Sequence, residues 1–483
     1  MNPRILCFFC LCGLAMPGLC AEPTQAGAPT VTSGGAGLLN DWLRDQYPTF
    51  ERWDIGGQFR LRGEHRENFA VPGLRPEAVD FRKDGGAGNT FLLLREKLHL
   101  GYRPTDWVGT YAEARDSSSH WDRRDPSPEA DCFDLHQAYV MFGDLSEFPL
   151  VAKIGRQELA YGDERLVGAL DWSNVGRVFD AAKLRFQQPS VAVDAFTGRV
   201  IIPDDGNFNV SNDYEWFSGV YASSRQLLPK HETQVYFLAR NTGVDSPNAI
   251  GQDLPPSMRG ASARDIYTVG TRLKSSPGQF AGWDYQAEAA GQFGNFKSTT
   301  TGDRLDHRAF AATVAGGHTW VQTWGSPRLG LEYNLATGDS DPNDDKHETF
   351  DNLFPTNHRF YGFMDFASWQ NMHNLRLTGS LKPHKKLSLT LDYHAFWLAN
   401  TEDYFYQANG APRSTGGYGL NPDGGPFIGT ELDLIATWNV TRFASIQGGY
   451  GHFFAADYLD DSLAQVGGAT DADWIYLQAV VNF

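Results

Sequence analysis

The sequence predicts an all-β protein, a transmembrane antiparallel up-and-down β-barrel of about eighteen strands, within a range of about sixteen to twenty. Three observations carry this. From Trp53 onward the 483-residue chain repeats segments of roughly ten residues in which apolar and polar side chains alternate. That is the period-two signature of a strand with two unlike faces. The connections between segments alternate between long and short. The last segment sets Ile475, Leu477, Ala479, Val481 and Phe483 on one parity, so its apolar face runs to the final residue.

The N-terminus reads as three parts: residues 1–21 a secretory signal peptide, 22–50 a polar lead-in, and 51–483 the barrel. Arg4 supplies a basic start, and Ile5 to Leu14 an apolar run ending at Pro17 and Gly18. Lipidation at Cys20 is the alternative. Such sites resemble leucine three positions before the cysteine and a small residue next to it, and here Pro17 and Leu19 hold those places. Cys7, Cys10, Cys12 and Cys20 fall in the signal region, so Cys132 alone remains after cleavage and an intramolecular disulfide is excluded. Beyond the signal the purely apolar runs are as short as Phe91 to Leu94, which excludes helical membrane spans. The formal charge of −17 argues against nucleic acid as a partner.

Strands are expected near 53–68, 91–103, 107–116, 133–142, 149–157, 177–186, 190–200, 215–223, 231–240, 264–275, 282–294, 306–320, 327–336, 371–382, 386–398, 429–439, 442–454 and 473–483. Leu387-Ser388-Leu389-Thr390-Leu391-Asp392-Tyr393 shows the alternation plainly. Short turns such as 104–106, 187–189 and 383–385 alternate with long connections at 70–90, 117–132, 158–176, 241–263, 337–370, 399–428 and 455–472. Membrane barrels have this asymmetry, with tight turns at one rim and long loops at the other. A soluble sandwich also alternates, but nothing lengthens its loops on one side only. A propeller would repeat with a period of about forty residues, and no such repeat is present. Tyr102, Trp107, Trp320, Trp324, Tyr393, Trp397, Trp438, Tyr450 and Phe454 fall toward strand ends, where amphipathic rings form interfacial girdles.

If the apolar parity faces lipid, the other parity lines the lumen. On the first strand that parity carries Arg60, Arg62 and Arg66, and on the second Arg95 and Lys97. Lys153 follows on the fifth strand, then Arg177, Lys183 and Arg185 on the sixth, Arg272 on the tenth and Arg376 on the fourteenth. Ladders of Arg and Lys in a pore select anions, and guanidinium matches both oxygens of a carboxylate. Glu431 and Asp433 also point inward, so paired charges that merely stiffen the lumen are the plain alternative. The loop 158–176, with Asp163, Glu164, Arg165 and Trp172, either folds inward as a constriction or lies over the rim.

Asp339, Asp341 and Asp344 offer hard oxygen ligands at close spacing, a Ca²⁺ candidate that lacks helix-loop-helix spacing. An enzymatic barrel is the rival class, but no nucleophile motif singles out a serine, and His136, His307 and His394 share no spacing. No cofactor is implied.

Gly155-Arg156-Gln157-Glu158-Leu159, Ala169-Leu170-Asp171-Trp172-Ser173, Tyr393-His394-Ala395-Phe396-Trp397 and Gly429-Thr430-Glu431-Leu432-Asp433-Leu434 resemble, in that order, stretches of the alginate export family. The segments 339–344 and 349–358 resemble the same group. The resemblance implies an eighteen-stranded outer-membrane porin with an electropositive lumen, passing an anionic polysaccharide or oligosaccharide in a Gram-negative bacterium. It implies Arg156, Asp171 and Trp172 as lumen or constriction residues, with Glu431 and Asp433 as their acidic counterparts. Partners so implied are the polysaccharide, outer-membrane lipid, the barrel-assembly machinery, which reads a C-terminal strand ending like Phe483, and periplasmic export proteins. The family's exporter has a long periplasmic loop before its penultimate strand, where this chain has only the Asn439 to Arg442 turn. An uptake porin for acidic oligosaccharides or small anions fits the same lumen.

Overall fold

The computed structural model describes residues 37–69, 71–72, 78–83, 88–243, 263–276, 278–298, 302–414 and 416–483. The expected signal peptide and the lead-in up to residue 36 lie outside them. Eighteen long strands follow one another: β1 (Trp53–Glu67), β2 (Asn89–Thr105), β3 (Val108–His120), β4 (Asp131–Phe142), β5 (Leu150–Gln157) and β6 (Phe179–Gln187). Next come β7 (Ala192–Ile202), β8 (Glu215–Ser224), β9 (His231–Thr242), β10 (Arg264–Ser275), β11 (Trp283–Lys297) and β12 (Arg304–Thr319). The circuit ends with β13 (Arg328–Ala336), β14 (Met372–His384), β15 (Leu387–Trp397), β16 (Phe427–Asn439), β17 (Ala444–Ala455) and β18 (Ala472–Asn482). Each corresponds to one strand expected from the alternation.

Every strand pairs antiparallel with the next, and β18 pairs with β1, setting Gln478 opposite Arg62, so the barrel closes. Closure leaves no unpaired edge, which is what lets β-structure sit in hydrocarbon. Phe483 completes the seam, its N–H donating to Gly57 O and its carbonyl accepting from Gly57 N. The barrel is apolar outside and charged inside, the inverse of a soluble protein. On β2, Leu98 is 57% exposed while neighbouring Lys97 is 9% exposed. Ile475, Leu477 and Val481 face outward as their shared parity predicts. Tyr102, Trp107, Trp320, Trp324, Tyr393, Trp438, Tyr450 and Phe454 are exposed on the outer surface, and Trp397 is half-buried.

The loop asymmetry holds around the circuit. Two residues join β2 to β3 and two join β14 to β15, whereas long connections cross the opposite rim. Connections 203–214 and 298–303 add to the long-loop end, and 225–230 to the short-turn end. The described part of the expected lead-in holds helix α1 (Leu38–Gln46), which ends where Pro48 follows Tyr47 and opens a 3-10 turn over Pro48–Arg52. Its contacts with the barrel are polar, with Asn40 donating to Asp54 Oδ1 at 2.8 Å and Arg44 to Trp53 O at 2.5 Å. Asp41 pairs with Arg442 at 2.8 Å. Among the described residues no helix is long and apolar enough to cross a membrane.

Candidate pore and its inward loops

The lumen is occupied by two of the long loops. Loop 158–178, between β5 and β6, and loop 337–371, between β13 and β14, meet along a parallel bridge of Val167 and Phe354. Gly168 N donates to Phe354 O at 2.8 Å, Phe354 N to Leu166 O at 2.9 Å and Thr356 N to Glu164 O at 2.8 Å. Leu159, Leu166 and Val167 pack there with Phe350, Phe354, Phe360, Tyr361, Met364, Phe366 and Trp369. Phe179, Phe196, Phe217, Tyr221 and Tyr236, on the inward parity of β6 to β9, complete this core. Inside a barrel, a loop whose backbone polar groups find partners and whose apolar groups pack stays folded rather than solvated.

Five of the twelve expected lumen cations, Arg60, Arg62, Arg95, Arg177 and Arg272, hold these loops. Arg60 donates to Asp171 O at 2.7 Å and Ser173 O at 2.8 Å, and Arg62 to Trp172 O at 2.7 Å. Arg95 reaches the Asp171 and Ser173 carbonyls and pairs with the Asp171 carboxylate at 2.9 Å. Trp172 lies between Arg62, whose Cζ is 3.9 Å from the ring centroid, and His358, stacked at 3.9 Å. His358 Nδ1 is 2.8 Å from Asp365 Oδ2. The Asp171-Trp172 pair is thus inside the barrel, on the β1–β2 wall.

Across the lumen, Asp163 accepts from Arg272 and Lys274, each at 2.6 Å. Burial disfavours its charge, yet these two cations hold the Asp163 carboxyl well below the usual aspartate range. Arg165 pairs with Glu332 at 2.8 Å and donates to Asn334 and Tyr361. Arg177 joins the loops, donating to Gly168 O and Pro355 O. In loop 337–371, Asp351 bridges Arg240 at 3.0 Å and Arg264 at 2.5 Å, and it too stays ionised far into acid despite burial. Glu431 accepts from Met364 N at 2.9 Å and Asp433 from Phe363 N at 3.2 Å. The approach needs Gly362, whose φ is +92° and whose Cβ would stand 2.5 Å from the Glu431 oxygens.

The remaining expected residues divide. Arg66 pairs with Glu64 at 2.9 Å, and Arg376 with Asp392 at 2.5 Å. Lys97 lies 3.5 Å from Glu113. Lys183 and Arg185 share Asp194 at 3.9 and 3.3 Å, while Lys153 sits 3.6 Å over the Tyr139 ring. Arg156 corrects the expectation. It carries the parity of outward-facing Ile154, pairs with Asp180 at 2.9 Å and donates to Asn209 O, so it belongs to the outer wall. Strand parity, rather than motif position, finds this.

The Ca²⁺ candidate is also corrected. Asp339, Asp341 and Asp344 are not gathered about one point: Asp344 pairs with Lys346 at 3.0 Å, and Asp339 accepts from Asp341 N as a turn bond. Among the described residues one three-ligand cluster exists, Glu113, His136 and Glu158. His136 Nδ1 faces the Arg115 guanidinium at 2.9 Å and must accept, which leaves the ring proton on Nε2, toward Glu158 at 3.2 Å. With Lys97 beside both glutamates, the cluster is a charge network whose cation is already present.

A closed barrel with an apolar exterior, a charged interior and loops folded into the lumen defines an outer-membrane porin-type channel. The model of the Alginate export family matches residues 52–469, nearly the whole chain, and the protein belongs to that family. Among solved structures it is similar to OccAB1 of Acinetobacter baumannii, with 12% identity and TM-score 0.55 over 94% of this chain and 99% of that one. It is similar also to OccD3 (OpdP) of Pseudomonas aeruginosa, with 12% identity and TM-score 0.53 over 89% and 91%. A third is OccK2 (OpdF) of Pseudomonas aeruginosa, solved in complex with glucuronate, with 12% identity and TM-score 0.53 over 89% and 98%. At such identity the likeness shows the fold. Among curated proteins none matches.

Proposed function

We propose that this porin passes an anionic polysaccharide or oligosaccharide of the alginate type along an Arg/Lys-lined path in the outer membrane of a Gram-negative bacterium. The carrying observation is that inward-facing cations outnumber their carboxylate partners at β5–β7. There Lys153, Lys183 and Arg185 have only Asp194 within ion-pair distance among the described residues. Family membership supports the substrate class, and OccK2, of like fold, was solved with a uronate. Carboxylates are drawn to fixed cations in a low-dielectric lumen, while nearby Glu113, Glu158 and Asp194 keep binding weak enough for release. In this reading the barrel-assembly machinery, which inserts the barrel, and periplasmic export proteins are the partners besides the polymer.

Planar-bilayer recording tests this. The expected result is a reversal potential reporting anion preference in a KCl gradient, with current blocked by polyuronate. A cation preference with no block would contradict it.

A further inference from the structure

Helix α1 repeats a four-residue pattern, Leu38-Leu39-Asn40-Asp41 followed by Trp42-Leu43-Arg44-Asp45. Residues four apart stand one above the other on a helix, so the repeat draws three stripes along it. Asn40 and Arg44 form the stripe that meets the barrel. Asn40 is 2% exposed, donates to Asp54 and accepts from Ile55 N at 3.3 Å. Asp41 and Asp45 form an acidic stripe. Leu38 with Trp42, and Leu39 with Leu43, form an apolar one, and Leu38 and Trp42 are 55% and 52% exposed. A surface helix of a water-soluble protein does the opposite, burying its apolar stripe and showing its polar one. Nine residues are also too few to hold a helix in water by their own hydrogen bonds. The apolar stripe therefore needs a cover that the described residues do not supply.

Position identifies that cover. Gly37, just before the helix, comes so close to the C-terminus that a Cβ there would stand 2.7 Å from the Phe483 carbonyl oxygen. Asp41 meets Arg442 in the turn between β16 and β17. Arg52, at the end of the 3-10 turn, donates to Pro104 O at 2.9 Å and lies 3.6 Å from Asp106 in the turn between β2 and β3. The segment is thus strapped across the seam where β1 and β18 close the barrel, at the short-turn rim, which in this class faces the periplasm. Trp42 packs edge-on to Tyr47 at 6.4 Å, and Tyr47 tilts against Phe50 at 6.2 Å. The chain then enters β1 at Trp53, whose ring stacks at 4.2 Å on outward-facing Tyr102. This row of rings leads from the apolar stripe to the aromatic girdle of the outer wall, the level at which amphipathic rings meet lipid headgroups.

We infer that α1 is an interfacial helix lying in the periplasmic leaflet of the outer membrane, with Leu38, Leu39, Trp42 and Leu43 covered by phospholipid. Such a helix sinks its apolar face about 5–10 Å into the boundary between headgroups and acyl chains. The Asn40 and Arg44 stripe stays fixed on the barrel, so the seam is anchored at a set depth. The contact lies outside the pore and is independent of what permeates.

The test uses the mature full-length protein in vesicles of phosphatidylethanolamine and phosphatidylglycerol. A nitroxide is attached at Leu38→Cys or Leu39→Cys in a Cys132→Ser background, with Lys385→Cys in the β14–β15 turn as the reference for water. Collision rates are measured with oxygen, which concentrates in the bilayer, and with a nickel chelate present on both sides, which stays in water. Oxygen collisions are expected to exceed nickel collisions severalfold at positions 38 and 39, and the order to reverse at position 385. Adding Trp42→Asp to the Leu38→Cys protein is expected to raise its nickel collisions severalfold, while heat-modifiable gel migration shows the barrel still folded. Nickel collisions at position 38 as frequent as at 385 would place the stripe in water and overturn the inference. Few collisions with either reagent would mean a protein cover, from this chain or a second copy, and would overturn it equally. Neither outcome bears on the anionic-glycan function proposed above.

Discussion

Of the like-charge pairs that face each other across neighbouring strands in this barrel, two cationic ones are treated differently. On the β1–β2 wall Arg60 is directly opposite Arg95, and on the β5–β6 wall Lys153 is directly opposite Lys183. The arginine pair is filled by the protein itself, with the Asp171 and Ser173 carbonyls and the Asp171 carboxylate between the guanidiniums. The lysine pair has no loop oxygen shared between its members among the described residues: Lys183 shares Asp194 with Arg185, and Lys153 lies over the Tyr139 ring. Guanidinium offers five donors in a rigid fork and suits a permanent clamp on backbone oxygens, whereas ammonium is a compact charge that releases a partner readily. The difference teaches that a cation on the lumen parity is not thereby a substrate contact: the arginines set the loops, and in the function proposed above the lysines are left for the anion.

The comparison breaks most visibly if the arginine clamp is removed. Arg60→Ala with Arg95→Ala frees residues 171–173 from the wall, and single-channel conductance is expected to rise severalfold with a noisy open state. Unchanged conductance would mean that loop 158–178 is held by other contacts.

Asp351 anchors the second loop in the same manner, so Asp351→Asn leaves Arg240 and Arg264 without their shared counter-charge. Breaking a buried pair costs about 3–5 kcal/mol, to be read as faster amide hydrogen exchange across residues 349–356. The pH dependence follows in sign. The folded carboxyl titrates below the ordinary aspartate value of 3.8, so its stabilisation is complete above about that pH and is lost as pH falls through the folded value. Exchange protection at 349–356 arising from this anchor should therefore be equal at pH 8 and pH 5, and a loss between them would contradict the assignment.

Trp172→Ala removes the stack on His358 and the face beneath Arg62, a smaller effect of about 1–2 kcal/mol. It is expected to shorten the closed dwell times of the channel without altering its ion preference. Arg156→Ala is the null member of the series: on the outer wall, it should leave the reversal potential where it was.

The strands were legible because alternation is enforced at every residue of a wall between lipid and water. Leu98 beside Lys97 and Leu477 beside Tyr476 cannot exchange faces without inverting a whole strand. Inside the lumen that rule gives direction but not partner. It placed Arg60, Arg62 and Arg95 inward, yet nothing local in Asp171-Trp172-Ser173 announces that its carbonyls meet them from a loop more than seventy residues away. Arg240 and Arg264 share the inward parity with Arg272 and were within reach of the same logic. Loop 337–371 opens with Asp339, Asp341, Asp344 and Asp345 and so reads as solvated, but its later half holds Phe350, Phe354, Phe360, Tyr361, Phe366 and Trp369. That density of rings is a signal of burial, and here it marks a loop folded into the barrel. Arg156 was carried inward by motif position, where the parity of Ile154 pointed out.

The central claim, that the lysine pair rather than the arginine pair meets the permeating anion, is tested most directly by reversal potential in a KCl gradient on two double variants. Lys153→Gln with Lys183→Gln is expected to cut the anion-to-cation permeability ratio severalfold at unchanged conductance. Arg60→Gln with Arg95→Gln is expected to raise conductance while the channel remains anion-preferring. The opposite pattern, with selectivity lost in the arginine variant and kept in the lysine variant, would contradict the account.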